Sequence, residues 1–414
     1  MSDNRLSYTG ASKPHRKAIF AWTYLEWGGA QIYLLAIMKE AKADWDITVI
    51  LPRHSHSGMI TYLRDLGVEC RFIDAHQYPT SNPAQTLWQK AVRQYRRISA
   101  EIAMLKALKG FDLKESILHL ETAPWQSWLL LTILSLRGAN VFVTLHNAPT
   151  ARTAFRRKIW RVRMRFVSGL RGFHIFASNK DTKERIRDFV LPLFWDQIPI
   201  TYTCVDPVQI EQVIEHGADK SALREQHGIE KDAFVVLCVG QFIDRKGRWT
   251  LIEAAANVPD ARVVWLTPNM PPDDDLARIE NYGLGDRFGL VLSDTLGAKR
   301  EDVLAFFRIA DVFALPSFVE GLPIALLEAM ALGLPSIATD VYAIPEAVKH
   351  KETGLLIPAG DAQQLAQAIL DLRADKDLRE RLATNGQKFV LENFDERIAS
   401  RTAITAYGEC FRNG

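Results

Sequence analysis

The sequence contains no apolar stretch long enough to cross a membrane. The longest apolar run, Trp128–Leu136, is interrupted by Thr132 and Ser135, and it is far shorter than the roughly 20 residues that a spanning helix needs. Residues 1–16 are polar and include no apolar core of a signal peptide. We therefore expect a cytoplasmic protein, and we leave open whether it attaches to the inner face of the membrane as a peripheral protein.

Cysteine and net charge are also scarce. The sequence has 4 cysteines, none in a CxxC pair or beside histidines at metal-binding spacing, which indicates free thiols in a reducing compartment. The 51 basic and 49 acidic residues give a net charge of +2. So small an excess argues against a general nucleic-acid-binding protein.

Strand-like and helix-like segments alternate regularly in both halves of the chain. A chain of 414 residues is too long for one ordinary core, and this alternation predicts parallel sheets with helices on both faces. We predict an α/β protein with two doubly wound domains, residues 1–204 and 205–390, joined by a linker near Pro192–Pro207. A last helix, Glu392–Phe411 within the segment 391–414, is expected to cross back to the first domain. The predicted strands are Lys17–Trp22, Ile47–Pro52, Val68–Asp74, Ser116–Glu121, Asn140–Asn147, Gly172–Ser178, Phe234–Val239, Arg262–Pro268, Phe288–Asp294, Val312–Ser317 and Pro335–Asp340.

The most informative stretch is Leu315–Glu346. It contains a short apolar helix, with Pro323 as its predicted first residue and Gly333 just beyond its end. Glu328 is the only charged residue in this helix, and Glu320 lies eight residues earlier. A loop and helix start that follow a strand form a ligand site in α/β proteins, and two carboxylates there indicate that hydroxyl groups are bound. The alternative is a structural Glu328 bonded to backbone amides and a Glu320 on the surface.

Two further loops have the composition of an anion site. Gly28 and Gly29 follow the first predicted strand, and Arg245 and Lys246 lie in the loop that begins at Gly240. Glycines let backbone N–H groups approach an anion, and an Arg–Lys pair at a helix start suits a diphosphate. The simpler interpretations are a turn at the first loop and a solvated basic pair at the second.

His146 ends a predicted strand, at the edge where ligands approach open α/β sheets. Its position fits a ligand contact, and it also fits a structural histidine.

Between Thr122 and Lys180 the sequence has ten basic residues and no acidic one. On a helix, an apolar stripe would run opposite the arginines. This pattern suits an anionic membrane surface or a phosphorylated acceptor; the alternative is that the stripe packs on the sheet and the arginines are merely solvated. The stripe is Phe155, Ile159, Val162 and Phe166, and the basic positions are Arg152, Arg156, Arg157, Arg161 and Arg165.

The run ADVFALPSFVEGLPIALLEAMALGLPSIATD resembles the C-terminal signature of retaining glycosyltransferase family 4, with Glu320 and Glu328 as its E-x7-E pair. The resemblance implies the GT-B fold, in which two Rossmann-like domains face each other across a cleft. It implies that Glu328 holds the ribose of a nucleotide-sugar donor, and that Glu320 and His146 lie against the donor sugar. The other donor-binding positions that it implies are Gly28, Gly29, Arg245, Lys246, Gly321 and Leu322.

The sequence departs from the family pattern at three places. Gln241 replaces the first basic residue of the diphosphate motif, Thr203-Cys204 replaces an Asn-Gly turn, and Val341-Tyr342-Ala343 replaces a Gly-Gly loop. We expect Arg245 to supply the missing charge and Tyr342 to narrow the donor pocket, so the identity of the donor is not carried over.

We therefore predict a retaining glycosyltransferase that moves a sugar from a nucleoside-diphosphate sugar to a saccharide or lipid-linked acceptor. Synthesis of cell-surface polysaccharide, lipopolysaccharide or glycolipid is the expected setting. We expect no cofactor and no essential metal, because Arg245 and Lys246 can neutralise the leaving group and Asp273–Asp275 is expected to be solvated. The alternatives are an epimerase or phosphorylase of the same fold, and a non-catalytic nucleotide-sugar-binding protein at a membrane surface.

Overall fold

The computed structural model describes residues 16–23, 25, 28–75, 86–150, 153–297 and 299–412. Within these ranges the chain forms two six-stranded parallel sheets, with the strand orders β3-β2-β1-β4-β5-β6 and β12-β11-β10-β7-β8-β9. The first sheet consists of β1 Arg16–Ala21, β2 Trp45–Pro52, β3 Glu69–Ile73, β4 Ser116–Leu120, β5 Asn140–Leu145 and β6 Phe173–Ala177. The second consists of β7 Phe234–Val239, β8 Ala261–Thr267, β9 Phe288–Leu292, β10 Val312–Leu315, β11 Ser336–Thr339 and β12 Leu355–Ile357. The predicted α/β class with two doubly wound sheets is confirmed.

Helices cover both faces of each sheet. Those of the first half are α1 Gly29–Ala41, α2 Ser57–Asp65, α3 Leu87–Ala107, α4 Trp128–Leu136, α5 Ala154–Ser168, α6 Lys180–Arg185 and α7 Pro192–Asp196. Those of the second half are α8 Pro207–His216, α9 Lys220–Gln226, α10 Arg248–Ala256, α11 Asp273–Glu280, α12 Arg300–Phe306, α13 Ile324–Ala331, α14 Ile344–Ala347, α15 Ala362–Ala374, α16 Lys376–Asn393 and α17 Glu396–Cys410.

The central strands of each sheet are buried on both faces, as their near-continuous apolar sequences require. In the first sheet one face packs on α1 and α17, and the other packs on α3, α4 and α5. In the second sheet α8 and α13 cover one face, and α10 and α15 cover the other. The strand order reverses between β1 and β4 and between β7 and β10, which are the points where α/β folds bind ligands.

The connection between the two halves differs from the predicted one. Part of the expected linker is helical, because Pro192 opens α7. The last predicted helix does not start at Glu392, because α16 continues to Asn393. A short non-helical segment follows, and α17 then begins at Glu396, where the Asp395 side chain caps it by accepting from the Arg397 N–H. The domain limits at residues 204 and 390 stay predictions.

The C-terminal helix α17 lies against α1 of the first half. Tyr407 is buried there and its hydroxyl lies 2.5 Å from His119 Nδ1. At the same junction Lys39 Nζ contacts Asp206 at 2.5 Å and Glu396 at 2.7 Å. Burial, together with the nearby Asp206 carboxylate, raises the pKa of Glu396 to about 7.

Candidate active site

Helix α13 presents one buried carboxylate from an otherwise apolar helix. Pro323 is the residue that precedes the first helical turn rather than the first helical residue, since its ψ of 123° is extended; the helix begins at Ile324. Glu328 is 5% exposed, and burial raises the pKa of its carboxyl group while the nearby Arg300 opposes that shift. Arg300 Nη2 donates to Glu328 Oε1. The partner is therefore a side chain, and not the backbone amides of the alternative interpretation.

Glu320 is also buried, so the interpretation of this residue as a surface glutamate is wrong. Its Oε1 accepts from Ser317 Oγ at 2.8 Å and lies 2.6 Å from Lys246 Nζ. Its Oε2 lies 3.6 Å from Arg245 Nη1. Both basic residues of the predicted diphosphate loop thus meet the first glutamate of the E-x7-E pair.

The loop that carries these two cations is fixed against the strand end that leads to Glu320. Gly247 has a φ of +73°, and a Cβ built there would lie 1.9 Å from the Pro316 carbonyl oxygen, so only glycine fits. The Phe318 N–H donates to the Arg245 carbonyl oxygen at 2.9 Å. The Lys246 side chain is 14% exposed and that of Arg245 is 43% exposed. The interpretation of Arg245 and Lys246 as a solvated basic pair is therefore wrong for Lys246, which is largely buried, and incomplete for Arg245, which also pairs with Glu320.

Residues that follow strands β1 and β5 of the first domain approach Gly321, next to Glu320, and the start of α13. A Cβ on Gly321 would lie 2.3 Å from the His146 carbonyl oxygen, and a Cβ on Gly29 would lie 3.5 Å from Ile324 Cδ1. Gly28 lies beside Gly29 and its N–H donates to Gln31 at 3.0 Å. The structure thus brings Gly28, Gly29, His146, Glu320 and Gly321 to one junction between the domains.

Leu322 has a different environment from its neighbours. Its side chain is buried in the apolar core between the second sheet and its helices. Any contact between Leu322 and a ligand at the junction would therefore have to come from its backbone.

The structure adds one residue that sequence reasoning missed. Glu121 directly follows β4, and its Oε2 lies 3.5 Å from His146 Nε2. Tyr33 of α1 packs edge-on against the imidazole with ring centroids 5.5 Å apart. An acidic residue at the end of the strand next to β5 was the available signal, because parallel strands end at the same edge of a sheet.

A second set of contacts joins the domains beside this junction. Glu346 accepts the backbone N–H groups of Lys180 and Asp181 at 3.0 and 2.8 Å. Tyr342, with a φ of +50°, places its ring 4.4 Å from the Arg185 guanidinium. Tyr342, which lies where the resemblance to family 4 implies a Gly-Gly loop, therefore contacts α6 of the first domain.

The basic helix α5 exposes its apolar stripe. Phe155 is 75% exposed and Val162 is 62% exposed, so the interpretation in which the stripe packs on the sheet is wrong. The face that does pack inward carries Met164 and Val167. Arg156, Arg157 and Arg165 are exposed and Arg161 is partly exposed, whereas Arg152 lies outside the described residues.

Exposed apolar side chains continue from α5 onto α3 and α4. Trp88 is 76% exposed and Leu136 is 82% exposed. The helices adjoin one another, because Arg97 of α3 donates to the Gln126 carbonyl oxygen just before α4, and Arg163 of α5 stacks 5.6 Å from Trp128. We name this surface the α3–α5 face; its other exposed apolar side chains are Leu87, Tyr95, Ile98, Ile102, Leu129, Ile133 and Phe166.

Neither a metal-ligand cluster nor a membrane-spanning helix is found among the described residues. No group of three or more His, Cys, Asp or Glu side chains in that part of the chain could hold a metal ion. No helix there is both long and apolar enough to cross a membrane. The prediction that Asp273–Asp275 is solvated is wrong for Asp275, which pairs with Arg248.

Comparison with known proteins relates the second domain to glycosyltransferases. Residues 219–389 match the family model described as "Glycosyl transferases group 1". The lipopolysaccharide core biosynthesis glycosyltransferase LpsE of Rhizobium meliloti is 34% identical over 175 residues, which cover 42% of this chain and 48% of that protein. The putative teichuronic acid biosynthesis glycosyltransferase TuaC of Bacillus subtilis is 25% identical over 375 residues, which cover 86% of this chain and 87% of that protein. The alignment with LpsE thus spans about half of that relative, whereas the alignment with TuaC spans most of it.

Solved structures extend the likeness over both domains. A glycosyltransferase from Rickettsia africae covers 97% of this chain and all of its own at a TM-score of 0.75 and 15% identity. Anabaena HepE in complex with UDP-glucose covers 95% of this chain and all of its own at a TM-score of 0.74 and 19% identity. At these identities the likeness shows the fold, which is the GT-B arrangement of two Rossmann-like domains.

Proposed function

We propose that this chain is a retaining glycosyltransferase that transfers a sugar from a nucleoside-diphosphate sugar to a saccharide or lipid-linked acceptor. The observation that carries the proposal is the buried contact between Glu320 and Lys246 at the junction of the two domains. A buried carboxylate with a cation and a hydroxyl at a topological switch point is an arrangement suited to a polar, anionic ligand. The match of residues 219–389 to group 1 glycosyltransferases supports it.

The proposed roles follow from where each group lies. Departure of a nucleoside diphosphate builds negative charge, and Lys246 and Arg245 can stabilise that charge without a metal ion. Lys246 is held by Glu320, so the cation is already oriented. Glu320 would position the donor sugar near its leaving group, and His146 would contact that sugar from the first domain. Glu121 would then orient the His146 imidazole.

A nucleoside-diphosphate sugar is the donor that the likenesses favour. One structural neighbour is a complex with UDP-glucose, and the relatives are named as a lipopolysaccharide core biosynthesis glycosyltransferase and a putative teichuronic acid biosynthesis glycosyltransferase. We therefore place this chain's acceptor in cell-surface polysaccharide, lipopolysaccharide or glycolipid synthesis.

The test of this function measures release of nucleoside diphosphate from a panel of nucleotide sugars, with and without acceptor glycolipids. We expect turnover of one donor class, retention of the anomeric configuration in the product, and full activity after EDTA treatment. Glu320→Ala should abolish turnover. Strict dependence on a divalent ion would contradict the proposed role of Arg245 and Lys246. Release of a free epimerised sugar, or use of inorganic phosphate in place of nucleotide, would indicate the alternative enzymes.

We further propose that the α3–α5 face rests on an anionic membrane surface from which a lipid-linked acceptor is reached. A phosphorylated soluble acceptor would need only the arginines, whereas this face also exposes aromatic and aliphatic side chains such as Phe155 and Trp88. Apolar side chains that enter the interface and arginines that meet lipid phosphates act together in interfacial binding. The first domain would thereby remain at the membrane during catalysis.

Liposome flotation tests this surface. We expect binding to vesicles with anionic lipid that weakens with salt and falls strongly in the variants Phe155→Asp and Arg157→Glu. Lys388→Glu is the matched control, because Lys388 is an exposed basic residue of α16 in the second half of the chain. Equal binding to neutral vesicles, or no binding at all, would contradict a membrane role for this face.

A further inference from the structure

The residue that pairs with Glu328 has no part in the E-x7-E motif. Arg300 is the first residue of α12, 28 positions before Glu328 in the sequence, and its Nη2 donates to Glu328 Oε1. Its side chain is 20% exposed, so the guanidinium lies close to the surface of the second domain while the carboxylate lies beneath it.

This ion pair is only half satisfied. Glu328 Oε2 and Arg300 Nε are both buried, and neither has a hydrogen-bond partner among the residues that the structure describes. A buried polar group without a partner costs about 1–3 kcal/mol, and a charged one costs more. The ion pair therefore has one spare acceptor, Glu328 Oε2, and one spare donor, Arg300 Nε.

A sugar hydroxyl has the chemistry that completes such a pair. One hydroxyl of a vicinal diol can donate to Oε2, and a neighbouring oxygen can accept from Nε. Because both atoms are shielded from solvent, a ligand that uses them has to displace the side chains that cover them. The ligand gains the two hydrogen bonds that Oε2 and Nε otherwise lack, and this gain offsets part of the free-energy cost of the displacement.

We propose that Arg300 is the positioning residue of the nucleoside site: it holds Oε1 of Glu328 so that Oε2 is left to accept from a ribose hydroxyl. The inference rests on the proposed function, because it assumes a nucleoside-diphosphate ligand. Arg300 acts through Glu328, so the preference for a ribose diol depends on both residues.

Burial explains why the arginine is needed. A carboxylate in an apolar helix interior takes up a proton unless a cation offsets its desolvation. A protonated Glu328 would be a much weaker acceptor for a hydroxyl. Removal of Arg300 should therefore reduce the contribution of the ribose hydroxyls more than that of the base or the diphosphate.

The test compares the affinities of the full-length protein for UDP, GDP and ADP with those for their 2′,3′-dideoxy analogues by titration calorimetry. For wild type we expect the ribonucleotide that binds to do so at least about tenfold more tightly than its dideoxy analogue, as hydrogen bonds to a charged group allow. Arg300→Met should reduce that ratio to about threefold or less and leave the affinity for the dideoxy analogue nearly unchanged. Arg300→Lys should restore part of the ratio, because it keeps the charge.

Arg308→Met is the matched control, since Arg308 lies in the same segment but donates to the Val213 carbonyl oxygen. It should keep the wild-type ratio. If Arg300→Met also keeps it, the inference is overturned while the proposed function stands. If wild type binds none of UDP, GDP, ADP and their sugar conjugates, the proposed function fails and the inference falls with it. Should Arg300→Met fail to fold, an unchanged ratio in Arg300→Gln would overturn the inference in the same way.

Discussion

Substitution of Lys246 can be used to distinguish its contribution to stability from its contribution to activity. Its ammonium lies 2.6 Å from Glu320, and both side chains are largely buried. Lys246→Met would leave the Glu320 carboxylate with the Ser317 hydroxyl and with Arg245 at 3.6 Å. A buried charge that loses its partner typically costs 3–5 kcal/mol.

We expect a loss of about 3 kcal/mol for Lys246→Met, at the lower end of that range, because Arg245 and Ser317 remain. For a domain of this size that free energy lowers the melting temperature by about 6–12 °C. The double variant Lys246→Met/Glu320→Gln removes both charges and keeps a group that Ser317 can donate to. Its stability should return to within about 1 kcal/mol of wild type, since replacing a whole buried pair is often nearly neutral.

Urea unfolding followed by tryptophan fluorescence and circular dichroism measures the effect, and turnover of the nucleotide sugar is followed in parallel. The double variant should be stable but inactive, because it still lacks the cation that we propose stabilises the leaving group. Arg245→Met is the control; the half-exposed position of Arg245 predicts a stability loss under about 1 kcal/mol. A Lys246→Met variant as stable as wild type, or a double variant no more stable than the single one, would refute the reasoning.

Two other predictions follow from the domain junctions. Gly321→Ala would place a methyl group 2.3 Å from the His146 carbonyl oxygen, so the domains should close incompletely and turnover should fall about 100-fold. Gly289→Ala, which meets nothing within 4 Å, should leave turnover unchanged, and equal activity of both variants would contradict the closed junction. Because the pKa of Glu396 is raised from 4.5 to about 7, the folded state binds more protons than the unfolded state between these values. Its contribution to the free energy of unfolding is therefore full below about pH 4.5 and falls by at most about 1.4 kcal/mol per pH unit as the pH rises to 7. Glu396→Gln should flatten the measured curve in that window, and a curve identical to that of wild type would show that the shift is absent.

The fold could be predicted from the sequence because its signals are local. Apolar runs bounded by turn residues predicted every strand of the two sheets except the three-residue β12, and the run around Glu328 predicted α13 to within one residue at its start. The resemblance around Glu320 and Glu328 covers only one stretch, but that stretch lies at a strand end, where parallel sheets gather their ligand residues. The candidate site could therefore be predicted, because the E-x7-E stretch lies at the end of a predicted strand.

The partners of those residues could not be predicted, because they come from distant parts of the chain. Nothing near Glu328 in the sequence points to Arg300, and nothing near His146 points to Glu121; both pairs exist only through the order of strands in the sheets. Asp275 was expected in solvent because its partner, Arg248, lies on another helix.

The periodicity of α5 was predicted correctly, and the exposed stripe agrees with the surface interpretation, but the pattern alone left open which side of the helix packs. An apolar stripe predicts a buried face only when the sheet lies on that side. Met164 and Val167 supply the contact with the core, which leaves Phe155 and Val162 exposed. A sequence pattern of this kind cannot distinguish a face that meets the core from a face that meets a membrane.

The central claim is that the second domain binds a nucleoside diphosphate through Glu328. Thermal unfolding of wild type and of Glu328→Ala, each with UDP, GDP, ADP and their common sugar conjugates, tests it most directly. A ligand at about 100 times its Kd adds about 2.7 kcal/mol to the stability of the bound state. The account predicts a shift for one nucleotide class with wild type and its loss in the variant. No shift with any nucleotide, or an equal shift in both proteins, would contradict it.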